Sequence, residues 1–358
     1  MRRIFRPICL LLLAFSILEI SARMIFRLDP KFWWANDSSA QRLLWARGHR
    51  DGTFIYWCDH PDAQRGWTLA PSIHGGRLFD KPVNSNSYGF RGVKEFNLTK
   101  SPGRTRILVL GDSFAFGEEV GDEETYSARL GRLLPNTEVL NLGVHGYGHD
   151  QMLLYFLSVG VQFHPDIVLL GYLPMDVDRN ALTFYNFAKP RYRLENGQLV
   201  LKNTPIPPPA AYLRRELFRL KILDLLMVTW DRTPWGQAAR QKDAKSITPA
   251  ILDELIRSIR GAGAVPVFIY CPAPPELVGL MKGQTSFPEE ADFLAFCAGR
   301  GVHGFSVRPG FSKAVQNGTS LAVHNHWDPL EHKIAAEAIA DDLVKHGLTP
   351  GPVSLQKN

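Results

Sequence analysis

The chain has 358 residues, of which 45% are hydrophobic and 21% are charged. This composition suits one large or two small globular domains and excludes an intrinsically disordered protein. The formal net charge is +6, but residues 1–27 contain five arginines and one glutamate, so a charge of only +2 belongs to the rest of the chain. Without a basic stripe elsewhere, the charge does not indicate nucleic-acid binding, and we expect no nucleic-acid partner.

Residues 1–27 have the pattern of an export signal, because three arginines within the first six residues precede an apolar run that ends at Glu19. Residues 20–22 are a candidate cleavage site, so a removed signal peptide competes with a retained signal anchor. We favour the anchor, since no clear small-x-small site directly follows the run and apolar residues resume at Met24. The early arginines favour a single-pass membrane protein with its folded body outside the cytoplasm, or a periplasmic or secreted one if the segment is cleaved.

Residues 28–104 are rich in Trp, Gly, Pro and Asn and have no sustained periodicity. We interpret them as an irregular N-terminal extension wrapped on the main domain, because large aromatic side chains require burial. The tryptophans that require it are Trp33, Trp34, Trp45, Trp57 and Trp67.

From residue 105 to residue 348, short apolar runs alternate with segments of helical periodicity. The predicted strands are 107–110, 137–140, 166–172, 265–271 and 302–307. The predicted helices are 125–134, 150–160, 249–261, 288–299 and 329–347. This alternation predicts the α/β class, a three-layer α/β/α domain around a five-stranded parallel sheet. Residues 349–358 form a tail.

Residues 181–247 interrupt the alternation, and we interpret them as an insertion above the sheet. Asn196-Gly197 separates the alternating segments 191–194 and 198–201, which is a strong hairpin signal. Residues 211–228 then have the spacing of one amphipathic helix, either packed on the domain or serving as an apolar lid.

The four cysteines are too few and too scattered for a disulfide framework, and a Cys58–Cys297 bridge stays open. Cys9 lies in the apolar run, and Cys271 ends a predicted strand. No Cys or His cluster has zinc-ligand spacing, and no phosphate loop or dinucleotide fingerprint is present, so we expect neither a metal nor a cofactor.

The most informative motif ends the first predicted strand, where a buried apolar run stops at Gly111-Asp112-Ser113. Catalytic groups of α/β proteins lie at the carboxyl ends of the parallel strands. By itself the tripeptide is also compatible with an ordinary turn.

A hydroxyl nucleophile needs a base and donors that stabilise an oxyanion, and three later segments offer them. Residues 140–148 form a glycine-rich loop whose amides could face Ser113, and residues 171–176 end the next strand. Residues 324–329, just before the last helix, contain histidines. Because these segments follow strands of one sheet, the sequence predicts a serine and a histidine at a shared edge, as acyl transfer requires.

These segments resemble the SGNH (GDSL) hydrolase superfamily, specifically its membrane-anchored bacterial members, over most of residues 80–346, including the stretch 86–92. The resemblance implies an SGNH/flavodoxin-like fold and a serine esterase that forms an acyl-enzyme. It places the nucleophile on Ser113, the general base on His326, and the oxyanion donors on the amides of Ser113 and Gly143.

The sequence departs from this family at two positions. The family's third block has an asparagine, usually followed by aspartate, that completes the oxyanion hole, and here the pair is Met175-Asp176. A thioether cannot donate that bond, and the loss of one oxyanion donor costs about 3 to 4 kcal/mol. The aspartate that orients the family's histidine is replaced by His324.

Asn141 and Asn180 are candidates for the missing donor, because they lie near the same predicted loops. Asp328 or a backbone carbonyl could orient the histidine, although Asp328 is better placed to cap the last helix. We expect Asp112 to support the turn.

The leading hypothesis is an extracytoplasmic serine esterase, or a related acyltransferase, that acts on an O-acyl group such as O-acetyl of a small molecule or polysaccharide. One alternative is a catalytically lapsed relative that binds glycans or an envelope partner, motivated by Met175 and His324. A further alternative is a lipase or phospholipase.

Overall fold

The structure is a computed structural model, and it describes residues 2–28, 39–51, 56–185, 187–322 and 324–350. Its strands, in chain order, are β1 (Asp59–Asp62), β2 (Gly66–Leu69), β3 (Gly76–Leu78), β4 (Lys81–Val83), β5 (Thr105–Gly111), β6 (Thr137–Gly143), β7 (Ile167–Tyr172), β8 (Phe184–Tyr185), β9 (Phe187–Ala188), β10 (Arg191–Glu195), β11 (Gln198–Lys202), β12 (Val265–Tyr270) and β13 (His303–Ser306).

The α-helices are α1 (Arg2–Leu28), α2 (Ser39–Asp51), α3 (Ser113–Phe116), α4 (Tyr126–Leu133), α5 (His149–Ser158), α6 (Asp176–Arg179), α7 (Pro209–Phe218), α8 (Lys221–Arg232), α9 (Pro234–Gly261), α10 (Pro274–Met281), α11 (Pro288–Gly299), α12 (Arg308–Gln316) and α13 (Pro329–Lys345). Short 3₁₀ helices lie at Asp122–Glu124 and Gly160–Phe163.

Five parallel strands form the central sheet in the order β13-β12-β7-β5-β6. Strand β5 lies between β7 and β6, with Val109 opposite Leu169 and Gly111 opposite Gly143. The continuously apolar runs of β5 and β7 follow from burial on both faces of the sheet.

Alternate residues of each strand contribute to two separate hydrophobic cores. Leu108 and Leu110 face one core, which contains residues of α5, α9 and α11. Ile107 and Val109 face the other core, which contains residues of α4, α12 and α13. The predicted three-layer α/β/α fold with a five-stranded parallel sheet is therefore confirmed.

The N-terminal extension is more regular than expected, since α2 and two antiparallel hairpins, β1-β2 and β3-β4, lie within it. Trp45 and Trp67 are fully buried, whereas Trp57 is 45% exposed. Trp33 and Trp34 lie outside the described residues. The division of the chain at residues 27, 104 and 348, and the insertion 181–247, stay predictions.

The predicted single helix 211–228 is wrong, because the chain forms α7 and α8 with extended backbone at Arg219 and Leu220 between them. The break has a tertiary cause: the first amides of α8, those of Lys221 and Ile222, each donate to the carboxylate of Glu19 in α1. The predicted hairpin is present, with both Asn196 and Gly197 in the left-handed region that its turn requires.

The predicted helix 249–261 is only the second half of α9, which begins at Pro234 behind the capping hydroxyl of Thr233. Proline suits the first turn of a helix, so Pro249 predicted a start where the helix in fact continues. The candidate Cys58–Cys297 bridge is also wrong: all four cysteines are free, and these two belong to different hydrophobic clusters.

Helix α1 contains the candidate membrane segment. Within the described part of the chain, Phe5–Leu28 is the one helix long and apolar enough to cross a membrane, and 6% of its most apolar window is buried. A signal sequence has the same composition and length, so these properties fit both an anchor and a signal peptide.

Candidate active site

The nucleophile turn is built by close packing at the end of β5. A Cβ atom added at Gly111 would lie 2.5 Å from the Ala115 Cβ, so glycine is required where α3 folds back on the strand. The Asp112 carboxylate accepts a hydrogen bond of 3.0 Å from the Phe114 amide and caps this helix. Ser113 is thereby held as the first residue of α3, at the carboxyl edge of the sheet.

The structure brings Ser113 and His326 together, although 213 positions separate them in the chain. The distance between the Ser113 Oγ and the His326 Nε2 is 2.9 Å. His326 precedes α13, and Trp327 beside it packs edge-on against Phe114 and donates to the Pro272 carbonyl. The buried Trp327 thus fixes the position of His326, whose own side chain is 16% exposed.

The carboxylate nearest the other imidazole nitrogen is one that sequence reasoning missed. The Glu119 Oε1 lies 3.3 Å from the His326 Nδ1. Glu119 has a φ of 69°, which is uncommon for a residue other than glycine and turns the chain back toward the histidine. Ser113, His326 and Glu119 therefore form a Ser–His–carboxylate arrangement in which the carboxylate comes six residues after the serine in the chain. The only sequence signal was the pair of glutamates directly after Gly117.

His324, at the position of the family's orienting aspartate, is exposed and has no hydrogen bond to His326 in the described structure. Asp328 caps α13, accepting from the amides of Leu330 and Glu331, so its carboxylate is directed away from an orienting role.

A second carboxylate, Glu118, forms the buried wall of the site. Its Oε2 lies 3.8 Å from the His326 Nε2, and its Oε1 accepts a hydrogen bond of 3.2 Å from the Tyr56 hydroxyl. Burial, followed by the charge of Glu118, raises the pKa of Tyr56 well above its usual range, so the phenol stays a donor. The N-terminal extension therefore contributes a residue to the catalytic edge.

The amide of Gly143, the expected oxyanion donor, is engaged by a neighbouring side chain. This amide donates to the Asn141 Oδ1 at 2.9 Å, and the Asn141 Nδ2 donates to the Ala115 carbonyl at 2.8 Å. A Cβ added at Gly143 would lie 2.3 Å from the Phe116 nitrogen. Gly143 is therefore needed for the close approach of α3 to β6, and the Asn141 amide is already engaged.

Neither Met175, in the third block, nor Asn180, the remaining candidate, offers a free side-chain donor. Met175 is 41% exposed, and its thioether has no proton to give. Asn180 is fully buried, where its amide donates to the Thr248 hydroxyl at 2.7 Å and also contacts the His149 ring at 3.1 Å.

Arg179 joins the nucleophile turn to the neighbouring loops. Its Nη1 donates to the Asp112 carboxylate at 3.0 Å, the Asp176 carboxylate at 2.6 Å and the Tyr147 carbonyl at 2.9 Å. Burial, and then the charge of Asp112, raises the pKa of Asp176 well above its usual range. The Tyr147 carbonyl, in the glycine-rich loop, and the Asp112 carboxylate, next to Ser113, both accept from the Arg179 Nη1. The glycine-rich loop therefore lies beside the nucleophile turn. In the described part of the chain, the amide of Gly146 in this loop has no acceptor.

Away from this site, His303, Asp342 and His346 place their ligand-type atoms within 4.8 Å of one another. The His303 Nε2 lies 2.5 Å from an Asp342 carboxylate oxygen, and the His346 Nδ1 lies 2.9 Å from the Asp342 carbonyl. Since these side chains satisfy one another, we assign the group the structural task of tying β13 to α13.

No protein-family model matches the sequence, and no curated protein matches it. Solved structures do resemble the fold. A member of the lipolytic G-D-S-L family from Veillonella parvula is 11% identical with a TM-score of 0.40, covering 66% of this chain and 97% of that chain. A catalytic mutant of an acetylxylan esterase from Geobacillus stearothermophilus is 13% identical with a TM-score of 0.39, covering 68% and 96%. A two-domain esterase active on acetylated mannans is 12% identical with a TM-score of 0.37, covering 71% and 54%.

Proposed function

We propose that this protein is an SGNH-type serine esterase or acyltransferase that cleaves O-acyl esters through an acyl-enzyme on Ser113. The observation that carries the proposal is the 2.9 Å contact between the Ser113 Oγ and the His326 Nε2 at the carboxyl edge of the sheet. A serine hydroxyl is a weak nucleophile until an adjacent base accepts its proton, and this geometry supplies the base.

In the first half-reaction, the Ser113 Oγ attacks the ester carbonyl carbon while His326 takes the hydroxyl proton. The tetrahedral intermediate then collapses: the bond from the carbonyl carbon to the alcohol oxygen breaks, and His326 returns the proton to the departing alcohol. In the second half-reaction, water or a sugar hydroxyl attacks the acyl-enzyme with the same proton transfers. Water gives hydrolysis, and a sugar hydroxyl gives acyl transfer.

Glu119 would act as a positioning residue for His326. A carboxylate that accepts a hydrogen bond from the Nδ1–H group keeps the proton on Nδ1, leaves Nε2 as the acceptor for the serine proton, and stabilises the imidazolium formed during attack. The 3.3 Å separation of the Glu119 Oε1 and the His326 Nδ1 suits this role.

The oxyanion would be held by backbone amides. The Ser113 amide has no acceptor among the described residues, and neither has the Gly146 amide on the loop that Arg179 holds beside Asp112. We assign the developing negative charge to these two donors in place of the expected Gly143.

The substrate class we propose is an O-acyl group, foremost O-acetyl, on a carbohydrate outside the cytoplasm. This choice is supported by the export signal and by the sequence resemblance to anchored SGNH proteins. Retention of α1 as an anchor is supported by its contacts with the folded body, because a chain cleaved at residues 20–22 would lose the Glu19 carboxylate that binds the start of α8.

One alternative has its own structural support. Met175 cannot donate, and the Gly143 amide is already bonded, so two donors expected from the resemblance are missing. A site with too little oxyanion stabilisation would serve a protein that binds a glycan or an envelope partner without turning it over.

The deciding experiment incubates the full chain in detergent with p-nitrophenyl acetate, with a long-chain p-nitrophenyl ester and with a fluorophosphonate probe. Ser113→Ala is compared with Ser127→Ala, a buried serine of α4, as the matched control. We expect labelling and turnover to vanish in Ser113→Ala and persist in Ser127→Ala. Absence of both in the wild-type protein would favour the binding function. Faster turnover of long-chain than of acetyl esters would instead favour a lipase.

A further inference from the structure

Helix α1 touches the folded body through the one acidic residue in its sequence. The carboxylate of Glu19 accepts hydrogen bonds of 3.0 Å from the amides of Lys221 and Ile222, the first residues of α8. Arg23, one turn further along α1, bonds to the Arg219 carbonyl at 3.3 Å and to Glu19 at 2.8 Å. The start of α8 is therefore fixed against the apolar helix.

Helix α8 turns charged residues toward the folded body and apolar residues outward, whereas a surface helix of a soluble protein buries its apolar face. Its buried face carries charge: Lys221 and Asp224 are both buried and 3.2 Å apart. Asp224 also pairs with Arg42 at 2.7 Å and with Arg219 at 2.6 Å. The ion pairs lock the polar face of α8 onto the body, so the apolar residues are left on the outside.

The exposed face of α8 is made of large apolar side chains at the spacing of one helical stripe. These are Leu223 (51% exposed), Leu226 (60%), Met227 (43%) and Trp230 (54%). The neighbouring ends of α7 and α9 extend the stripe with Leu217 (53%), Phe218 (82%) and Trp235 (73%). Seven large exposed apolar side chains on three consecutive helices of a folded protein indicate a binding partner.

The position of the stripe identifies the partner as lipid. Phe5–Leu28 has 24 residues, which at 1.5 Å per residue is about 36 Å, enough to cross a hydrocarbon core of about 30 Å. Glu19 lies nine residues before the last residue of α1, or about 14 Å along it. With the segment of about 36 Å centred on the core of about 30 Å, Glu19 is about 11 Å inside the hydrocarbon boundary, which places the start of α8 at the deep side of the range of about 5 to 10 Å at which interfacial helices bury their apolar faces. Tryptophan at such a boundary is typical of membrane-interface residues.

The charges around the stripe fit the same partner. Arg214 and Arg215 of α7 line a cleft of about 560 Å³ together with Phe218 and Met227. Arginines at the edge of an apolar stripe can reach the phosphates of lipid headgroups while their neighbours enter the acyl layer.

We infer that α8, with the adjoining ends of α7 and α9, lies in the headgroup–acyl boundary of the bilayer that α1 crosses. This second membrane contact would fix the orientation of the catalytic domain at the surface instead of leaving it on a free tether. The inference rests on the proposed retention of α1 as a membrane anchor and is independent of the proposed esterase activity.

The experiment places a nitroxide label at three positions of the full chain reconstituted into lipid nanodiscs. Native Cys9 reports on α1, since it is exposed while the other three cysteines are buried. On a Cys9→Ser background, Leu226→Cys reports on the stripe and Leu157→Cys, a 44% exposed leucine of α5, is the matched control. Relaxation by oxygen and by a water-soluble nickel complex is measured at each position.

We expect the oxygen-to-nickel accessibility ratio at position 226 to exceed that at position 157 by about tenfold or more, because polar solutes are excluded from the acyl layer. If the label at Cys9 is shielded from nickel but the label at position 226 is as accessible to nickel as the label at position 157, the inference is overturned and the anchor stands. Nickel access at both Cys9 and 226 would overturn both. Dipolar coupling between labels at position 226 of two molecules would assign the stripe to a dimer and overturn the lipid contact.

Discussion

Replacing Glu119 with glutamine removes one negative charge from the imidazole while keeping the size of the side chain. At the 3.3 Å separation seen here, two unit charges attract by about 5 kcal/mol at an effective dielectric of 20 and by about 1.3 kcal/mol in bulk water. The Glu119 side chain is 30% exposed, so the effective value falls between these limits. A loss of about 2 to 3 kcal/mol corresponds to a fall in kcat of about 30- to 150-fold.

The assay is steady-state hydrolysis of p-nitrophenyl acetate by the full chain, with kcat and KM measured separately. We expect kcat to fall and KM to stay unchanged, because the lost attraction acts on the charge that His326 acquires in the transition state. Glu123→Gln is the matched control: its carboxylate belongs to the same segment, pairs with Arg132 and is 78% exposed. We expect this control to keep wild-type activity.

A second variant separates positioning from folding. Glu119→Gly removes the carboxylate and suits the φ of 69°, so we expect an unchanged melting temperature, the same loss of kcat, and partial recovery on addition of formate. Wild-type kcat in Glu119→Gln, or a kcat of Glu119→Gly that formate cannot raise, would refute the assignment of Glu119 as the orienting carboxylate.

Three further predictions concern other parts of the site and the core. Met175→Asn should raise kcat about tenfold or more, because it restores an amide donor to an incomplete oxyanion hole; an unchanged kcat would count against a missing donor at that position. Gly143→Ala should lower the free energy of unfolding by about 1 to 3 kcal/mol, because the added Cβ would lie 2.3 Å from the Phe116 nitrogen. Urea denaturation of the variant and the wild type measures this, and equal midpoints would contradict the prediction. Burial raises the pKa of Glu331 from 4.5 to about 7, so ionisation costs the folded state up to about 3 kcal/mol as the pH rises through that window. Glu331→Gln escapes this cost, and its stability relative to wild type should increase between pH 4.5 and pH 7 and then level off; a difference independent of pH would refute the titration.

The sheet could be predicted because its strands are short, continuous apolar runs, a pattern that burial on both faces imposes directly on the sequence. The meeting of Ser113 and His326 followed from the same logic, since both were predicted at the carboxyl ends of strands of one sheet. The helix boundaries were harder to predict where a distant residue decides them: nothing near residue 220 shows that a carboxylate at position 19 caps α8.

The chemistry around the nucleophile depends on contacts that sequence spacing does not show. Glu119 reaches His326 across 207 positions and from a left-handed backbone that the sequence gives no reason to expect of a glutamate. Gly143 was expected to be an oxyanion donor because the family resemblance places the oxyanion-hole glycine there. Two features found only in the fold account for the glycine: its amide donates a hydrogen bond to the Asn141 Oδ1, and α3 packs directly against its Cα.

The central claim is that an ester acylates Ser113. Mass spectrometry of the full chain after rapid acid quench from p-nitrophenyl acetate, followed by peptide mapping, tests it most directly. The account predicts one added acetyl group on the peptide that contains Ser113, its absence in Ser113→Ala, and much slower formation in His326→Gln. An unmodified Ser113 during measurable turnover, or an acetyl group that forms equally fast without His326, would contradict the account.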